Sequence, residues 1–192
     1  MSTEAPPARR WSRIEYERLI ELAVLHEDEP VELLGGQLLL REPQASAHAV
    51  AIELATDALR RILGAGFRIR VQLPIALDDD SEPEPDLAVV AGRPRDSVHA
   101  HPGRPALIIE IADSRLDFDR HQKGGLYARA GLGDYWIVNL VERVLEVRRE
   151  PVPDGRAPFG WRYGSVVVLG PGSAAAPLVA PAATISVDEL LP

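Results

Sequence analysis

The sequence predicts a mixed fold of the α/β (α+β) kind, with a central mixed β-sheet flanked by helices. Three observations carry that expectation. Residues 12–26 and 46–63 repeat apolar side chains at helical spacing. Short, β-branched apolar segments follow: FRIRV, DLAVV, ALIIEIA, DYWIVNL and RVLEVRRE. A further helical stretch, DFDRHQKGGLYARAG, is inserted among those strands, an order that suits a mixed sheet rather than a run of hairpins.

The elements follow in order. Residues 1–10 are rich in Pro and Ala and read as a disordered tail, ahead of a single domain over residues 11–192. Ser12 and Glu15 form a capping box, and Ile14, Leu19, Leu22, Ala23 and Leu25 continue a helical stripe to about His26. VELLGGQLLL is a β-hairpin signal around Gly35-Gly36, closed by Pro43. Val50, Leu54, Ala58, Leu59 and Ile62 mark a second helix that Gly64 ends. FRIRVQLPIAL is a strand bent at Pro74, DDDSEPEPD a solvated acidic loop, and DLAVVAG a short buried strand. After a loop over 92–105 comes the central strand ALIIEIA. The next helix has Asp117 or Asp119 near its start and Gly131 at its end, and DYWIVNL and RVLEVRRE then pair. Beyond Pro151 the chain is rich in Pro, Gly and Ala, with one or two short strands around Ser165–Leu169 and a terminal segment, ISVDELL.

Composition narrows the function. The 192 residues are 46% hydrophobic, enough for a core. There is no cysteine, which excludes disulfides and thiolate zinc sites. No apolar run approaches the roughly 20 residues needed to span a membrane, and MSTEAPPARRW has no apolar stretch behind its arginines, so a cytoplasmic protein is expected. The net charge of −8 argues against strong non-specific nucleic-acid binding. It leaves room for a local basic patch, with Arg60, Arg61, Arg68 and Arg70 as candidates, and it suits carboxylates gathered around a metal ion.

Glu110 stands in the middle of an apolar strand. A buried, unpaired carboxylate costs several kcal/mol or takes up a proton, so it needs a partner or a site. Strand alternation puts it on a face with Ala106, Ile108 and Ala112, and the small neighbours Ala106 and Ala112 leave room. Asp86, after Pro85, enters the strand LAVVA, and if the two strands are neighbours the carboxylates converge. Such a pair suits Mg²⁺, which needs only one or two carboxylates, and metal-assisted hydrolysis of a phosphodiester. Asp119, Lys123 and Tyr127 lie at i, i+4 and i+8 on one helix face. Each of these residues also has a plain reading: Asp86 as a turn former, Asp119 and Lys123 as a solvated ion pair, Glu32 as an edge charge, His48 as a half-exposed helix residue. His99 and His101 are two apart, a spacing compatible with metal binding, but no third ligand is evident.

Taken together, VELLGGQLLL, His48 on a helix, EPEPDLAVV and LIIEIADSRLDFDRHQKGGLYARAGLGDYWIVN closely resemble the Uma2 family, a domain of unknown function related to restriction endonuclease-like PD-(D/E)xK nucleases. The likeness covers most of the chain, from about residue 12 to 150. It implies a restriction endonuclease-like core whose site lies where two strands part. Carried over, Asp86 is the acid after proline and Glu110 the second acid. The lysine expected two residues after Glu110 is absent, since that position is Ala112, and Lys123 on the following helix takes its place. The resemblance further implies Glu32 as an additional acid at the metal, His48 beside it, and the backbone carbonyl of Ile111 as a metal ligand. Gln37 departs from the acid often found there and is expected to point outward. The expected function is a Mg²⁺-dependent (Mn²⁺ also serving) endonuclease acting on nucleic acid, DNA foremost, as a homodimer with no membrane attachment. The alternatives are a non-catalytic binding or regulatory module on the same fold, and hydrolysis of a small phosphate ester.

Overall fold

The computed structural model describes residues 8–26, 29–41 and 43–192. Of the expected N-terminal tail, residues 1–7 lie outside the described residues. Within it, Arg9 pairs with Glu15 at 2.6 Å and Arg10 donates to the Gly35 carbonyl.

Helix α1 covers Arg13–Glu21, with the Ser12/Glu15 capping box in place. It is shorter than the apolar stripe suggests. Ala23 adopts φ +53, and the amides of Ala23 and Val24 turn back to the carbonyls of Ile20 and Leu19. This is a Schellman ending with alanine where glycine is usual, so the sequence carries no stop signal there. Strands β1 (Val31–Leu34) and β2 (Gln37–Leu40) form the expected hairpin. Gly35 and Gly36 both have positive φ, as a tight two-residue turn requires.

Helix α2 spans Ser46–Ile62. Its buried stripe is Ala51, Ile52, Ala55, Ala58 and Leu59. Val50, expected to face inward, is 41% exposed. The alanines allow a close approach to the sheet, and that sets the helix rotation rather than the larger valine.

A six-stranded sheet follows, in the order β3 (Phe67–Val71), β4 (Leu87–Ala91), β5 (Pro105–Ala112), β6 (Asp134–Asn139), β7 (Val144–Pro153), β8 (Trp161–Leu169). β5 and β6 are parallel and every other neighbouring pair is antiparallel. The sheet is mixed because one connection, between β5 and β6, is a helical crossover. That crossover is a π-helix over Phe118–Lys123 that continues as α3 (Gly124–Arg129). It corrects the expectation of a uniform α-helix from Asp117.

β7 and β8 are longer than the Pro- and Gly-rich sequence suggests. Residues 151–153 run past the end of β6 and pair with β8 alone, so Pro151 and Pro153 need no ladder bond on their free side. Glu150, at φ +59, marks the break in register. Short strands β9 (Ala174–Ala175) and β10 (Ile185–Ser186) pair near the C-terminus.

Both faces of β5 are covered, which explains its continuous apolar sequence. On one face α2 and the C-terminal segment pack on Leu107, Ile109, Trp136 and Leu145. On the other, α3 packs on Ile108, Tyr135 and Ile137, with Leu126 and Tyr127 fully buried. Glu110 shares this second face. The acidic loop is not free in solvent as its composition suggests: Arg129 pairs with Asp78 at 2.7 Å and also with Asp80. Among the described residues, no helix is long and apolar enough to cross a membrane.

Candidate active site

β4 and β5 bring two acids face to face. Leu87 pairs with Ile109, so Asp86 stands one residue beyond the ladder, opposite Glu110. The Asp86 amide donates to Glu110 Oε2 at 3.3 Å, and the Ile111 amide donates to Asp86 Oδ2 at 2.8 Å. Pro85 leaves Asp86 at the mouth of the strand, where it closes one end of a cavity of about 300 Å³.

Lys123 and Tyr127 enter from the crossover. Lys123 Nζ donates to Glu110 Oε1 at 3.0 Å, and the Tyr127 hydroxyl donates to the same oxygen at 2.6 Å. Tyr135 holds the π-helix from below by donating to the Asp119 carbonyl at 3.0 Å. The wide turn carries both Asp119 and Lys123, each buried, into the cavity. π-Turns of this kind recur at functional sites.

The remaining candidates are placed as follows. His48 is buried on the N-terminal turn of α2, and its Nε2 lies 3.0 Å from Asp86 Oδ1. This overturns the plain expectation of a half-exposed residue. Glu32 on β1 is 3% exposed, accepts from the Glu84 amide at 3.2 Å and lies 4.0 Å from Lys123 Nζ, so it is no edge charge. His99 and His101 are not part of this cavity. Gln37 points outward. Several lining residues were not singled out in the sequence, Gln72 and Glu84 among them. Gln72 donates to Asp86 Oδ1 at 3.4 Å, and Glu84 pairs with Arg41 at 2.9 Å. Strand alternation gives no signal for either, since both lie outside the strands and Gln72 adopts φ +50.

The electrostatics are those of crowded acids. Burial drives the Glu110 carboxyl up in pKa, Lys123 draws it down, and Asp86 and Asp119 push it up again. The net effect is a carboxyl raised to about 8, although all three of its described partners can donate to it. Burial opposes charge on Lys123, but Glu110, Glu32, Asp119 and Asp86 reverse that and hold it as an ammonium. Burial likewise raises Asp86, yet the His48 contact brings it below its ordinary value, and the same contact raises His48. Asp119 is pushed up to about 6 by burial, partly offset by Lys123, and its carboxylate has no donor among the described residues.

The donor set is all hard oxygen, with more negative charge than its lysine and histidine neutralise. No group of three or more His, Cys, Asp and Glu side chains arranged for a metal ion occurs among the described residues. The opposed pair of Asp86 and Glu110 is nevertheless the number of carboxylates that Mg²⁺ ordinarily takes from protein, with water completing its shell. The residues fit such an ion.

Comparison with known proteins agrees with the architecture. A family profile for Uma2, described as "Putative restriction endonuclease", matches residues 14–188. The fold is similar to a crystal structure described as a "putative nuclease belonging to DUF820" from Anabaena variabilis ATCC 29413. That match has a TM-score of 0.68 at 18% identity and covers 90% of this chain and 96% of the other. No curated protein matches.

Proposed function

This chain belongs to the Uma2 family, and we propose that it is a metal-dependent endonuclease hydrolysing phosphodiester bonds of nucleic acid, DNA foremost. One observation carries the reading: Asp86, Glu110 and Lys123, contributed by two strands and a helical crossover, meet in one cavity. Asp86, Glu110 and the Ile111 carbonyl would hold Mg²⁺ or Mn²⁺, with Glu32 in support. When bound, such an ion supplies Lewis acidity and a more acidic water.

The chain's own residues do the rest. Lys123, kept charged by its acidic neighbours, orients the attacking water or neutralises the scissile phosphate as charge builds there. The water oxygen bonds to phosphorus and gives up a proton, the bond to the leaving oxygen breaks, and that oxygen takes up a proton in turn. Tyr127 positions Glu110, and His48 holds Asp86 ionised. Asp119 adds negative charge at the mouth. We read the active unit as a homodimer, since cutting both strands of a duplex calls for two sites and two-fold dimers are the commonest assemblies.

The second reading is a non-catalytic module on the same fold. Its favouring observation is that every oxygen of Asp86 and Glu110 already has a donor within the chain. Calorimetric titration of Mg²⁺ and Mn²⁺ into wild type and Glu110→Ala, followed by cleavage of mixed DNA substrates, separates the two. Binding lost in the variant, with metal-dependent cleavage by the wild type, is the expected result. Absence of metal binding by the wild type, even with DNA present, overturns the catalytic reading.

A further inference from the structure

Arg68 and Arg70 alternate to one side of β3, the side that carries the candidate site, and Gln72 follows at φ +50 just past the end of the strand. Gln72 reaches Asp86, as described above. Arg70 stands opposite Ala88 and Arg68 opposite Val90, so the two guanidinium groups lie along the sheet away from the cavity. Arg70 is only 8% exposed. It donates to the Pro74 carbonyl at 3.0 Å and lies 3.3 Å from His101 Nδ1. Arg68 donates to Ser97 Oγ. The Nε of each is buried without a partner. No described carboxylate forms an ion pair with either, and burial together with the Arg68 charge lowers the pKa of Arg70.

This is an unusual arrangement in a chain with 29 acidic and 21 basic residues. The other two arginines of the expected basic patch are neutralised, Arg60 by Asp57 and Arg61 by Glu189. Two like charges with no described counter-charge raise the positive potential of this face, Arg70 from beneath the segment that carries Ser97 and His101. The segment after β4 extends the same surface. It is tied to the residue before β3 by Gly92 N to Gly66 O and to the segment after β3 by Ala76 N to Pro102 O, and it adds exposed Arg93, Arg95 and Arg104. Its acid, Asp96, is engaged by the Arg93 amide.

We propose that Arg68, Arg70, Arg93, Arg95 and Arg104 form the track for the phosphodiester backbone of the nucleic-acid strand, leading past Gln72 to the Asp86–Glu110 cavity. The guanidinium fork suits phosphate oxygens, and a run of such contacts binds backbone without reading sequence. The proposal rests on the nuclease reading and names the face by which the substrate would be held.

The test is fluorescence anisotropy of labelled single-stranded and duplex DNA in EDTA, across a salt series. The proteins are wild type, Arg68→Gln, Arg70→Gln, Arg95→Gln and Arg104→Gln, with Arg18→Gln on α1 as the control. The last two track variants change exposed side chains and keep the test independent of any folding defect at Arg70. Each track variant is expected to weaken binding about threefold at moderate salt and to lower the log–log salt slope by about 1, while Arg18→Gln leaves both unchanged. Cleavage by the wild type with Mg²⁺ is followed in parallel. Slopes that fall without any cleavage uphold the surface and overturn the nuclease reading. Cleavage with unchanged slopes in Arg95→Gln and Arg104→Gln overturns the surface and leaves the nuclease reading standing. A wild type that neither binds nor cleaves overturns both.

Discussion

Lys123 Nζ and Glu110 Oε1 meet at 3.0 Å, both side chains nearly excluded from solvent, although they lie thirteen positions apart in the chain. The restriction endonuclease-like pattern expects its lysine two residues after the second acid. Here that position is Ala112, 1% exposed on the same face of β5. A lysine arriving from the crossover instead brings its ammonium to Glu110 from above.

This pair sets the first prediction. Lys123→Met is expected to lower metal-dependent cleavage by about 10²-fold or more and to destabilise the fold by roughly 3–5 kcal/mol, because Glu110 is left buried without its counter-charge. The double variant Lys123→Met/Glu110→Leu is expected to regain most of that stability and none of the activity. Urea unfolding and cleavage assays on the three proteins check both parts. Equal activity of Lys123→Met and wild type would remove the lysine from the mechanism.

Metal binding is expected to show as stability. Mg²⁺ at a hundredfold excess over its dissociation constant should stabilise the wild type by about 2.7 kcal/mol, reversed by EDTA. Asp86→Asn and Glu110→Gln should lose the response. Thermal unfolding with and without Mg²⁺ measures it, and an unchanged Tm in the wild type contradicts the assignment.

Glu82 makes a prediction about pH away from the site. It is 2% exposed, its Oε2 is buried without a partner, and burial reinforced by Glu17 pushes its carboxyl up to about 7. A folded-state value above the unfolded one means that the native protein binds more protons between about 4.5 and 7. Stability from this group therefore falls as pH rises through that window and is lowest above it. Glu82→Gln is expected to be more stable than wild type at pH 8 by on the order of 2–3 kcal/mol and no more stable at pH 4.5. Denaturant midpoints at the two pH values test it.

Gly35 offers a purely steric prediction. It adopts φ +55, and a Cβ there would stand 2.2 Å from the Phe159 ring. Gly35→Ala must open the hairpin turn or displace Phe159 from Arg129, whose guanidinium lies 5.1 Å from the ring centroid. A loss of roughly 1–3 kcal/mol is expected, readable as a fall in Tm.

Much of the chain declared itself locally. The capping box at Ser12 and Glu15, the glycine pair of the hairpin and the apolar run of β5 around Glu110 each follow from a rule spanning a few residues, and the structure has all three. Asp86 and Glu110 were legible for the same reason: one follows a proline and the other interrupts an apolar strand. Tertiary structure decided what those rules cannot reach. Helix α1 stops at an alanine because hydrogen bonds back to Leu19 and Ile20 outweigh the conformational cost of that residue. Gln72 looks ordinary in sequence, and Glu32 and His48 are placed at the site there only by the family resemblance; all three join it because α2, the hairpin and β3 converge on the open end of β4 and β5. The charge state of Lys123 is set by four carboxylates from separate elements. Backbone preference and side-chain periodicity act between near neighbours, whereas desolvation and Coulomb energy depend on which groups the fold brings within a few ångströms.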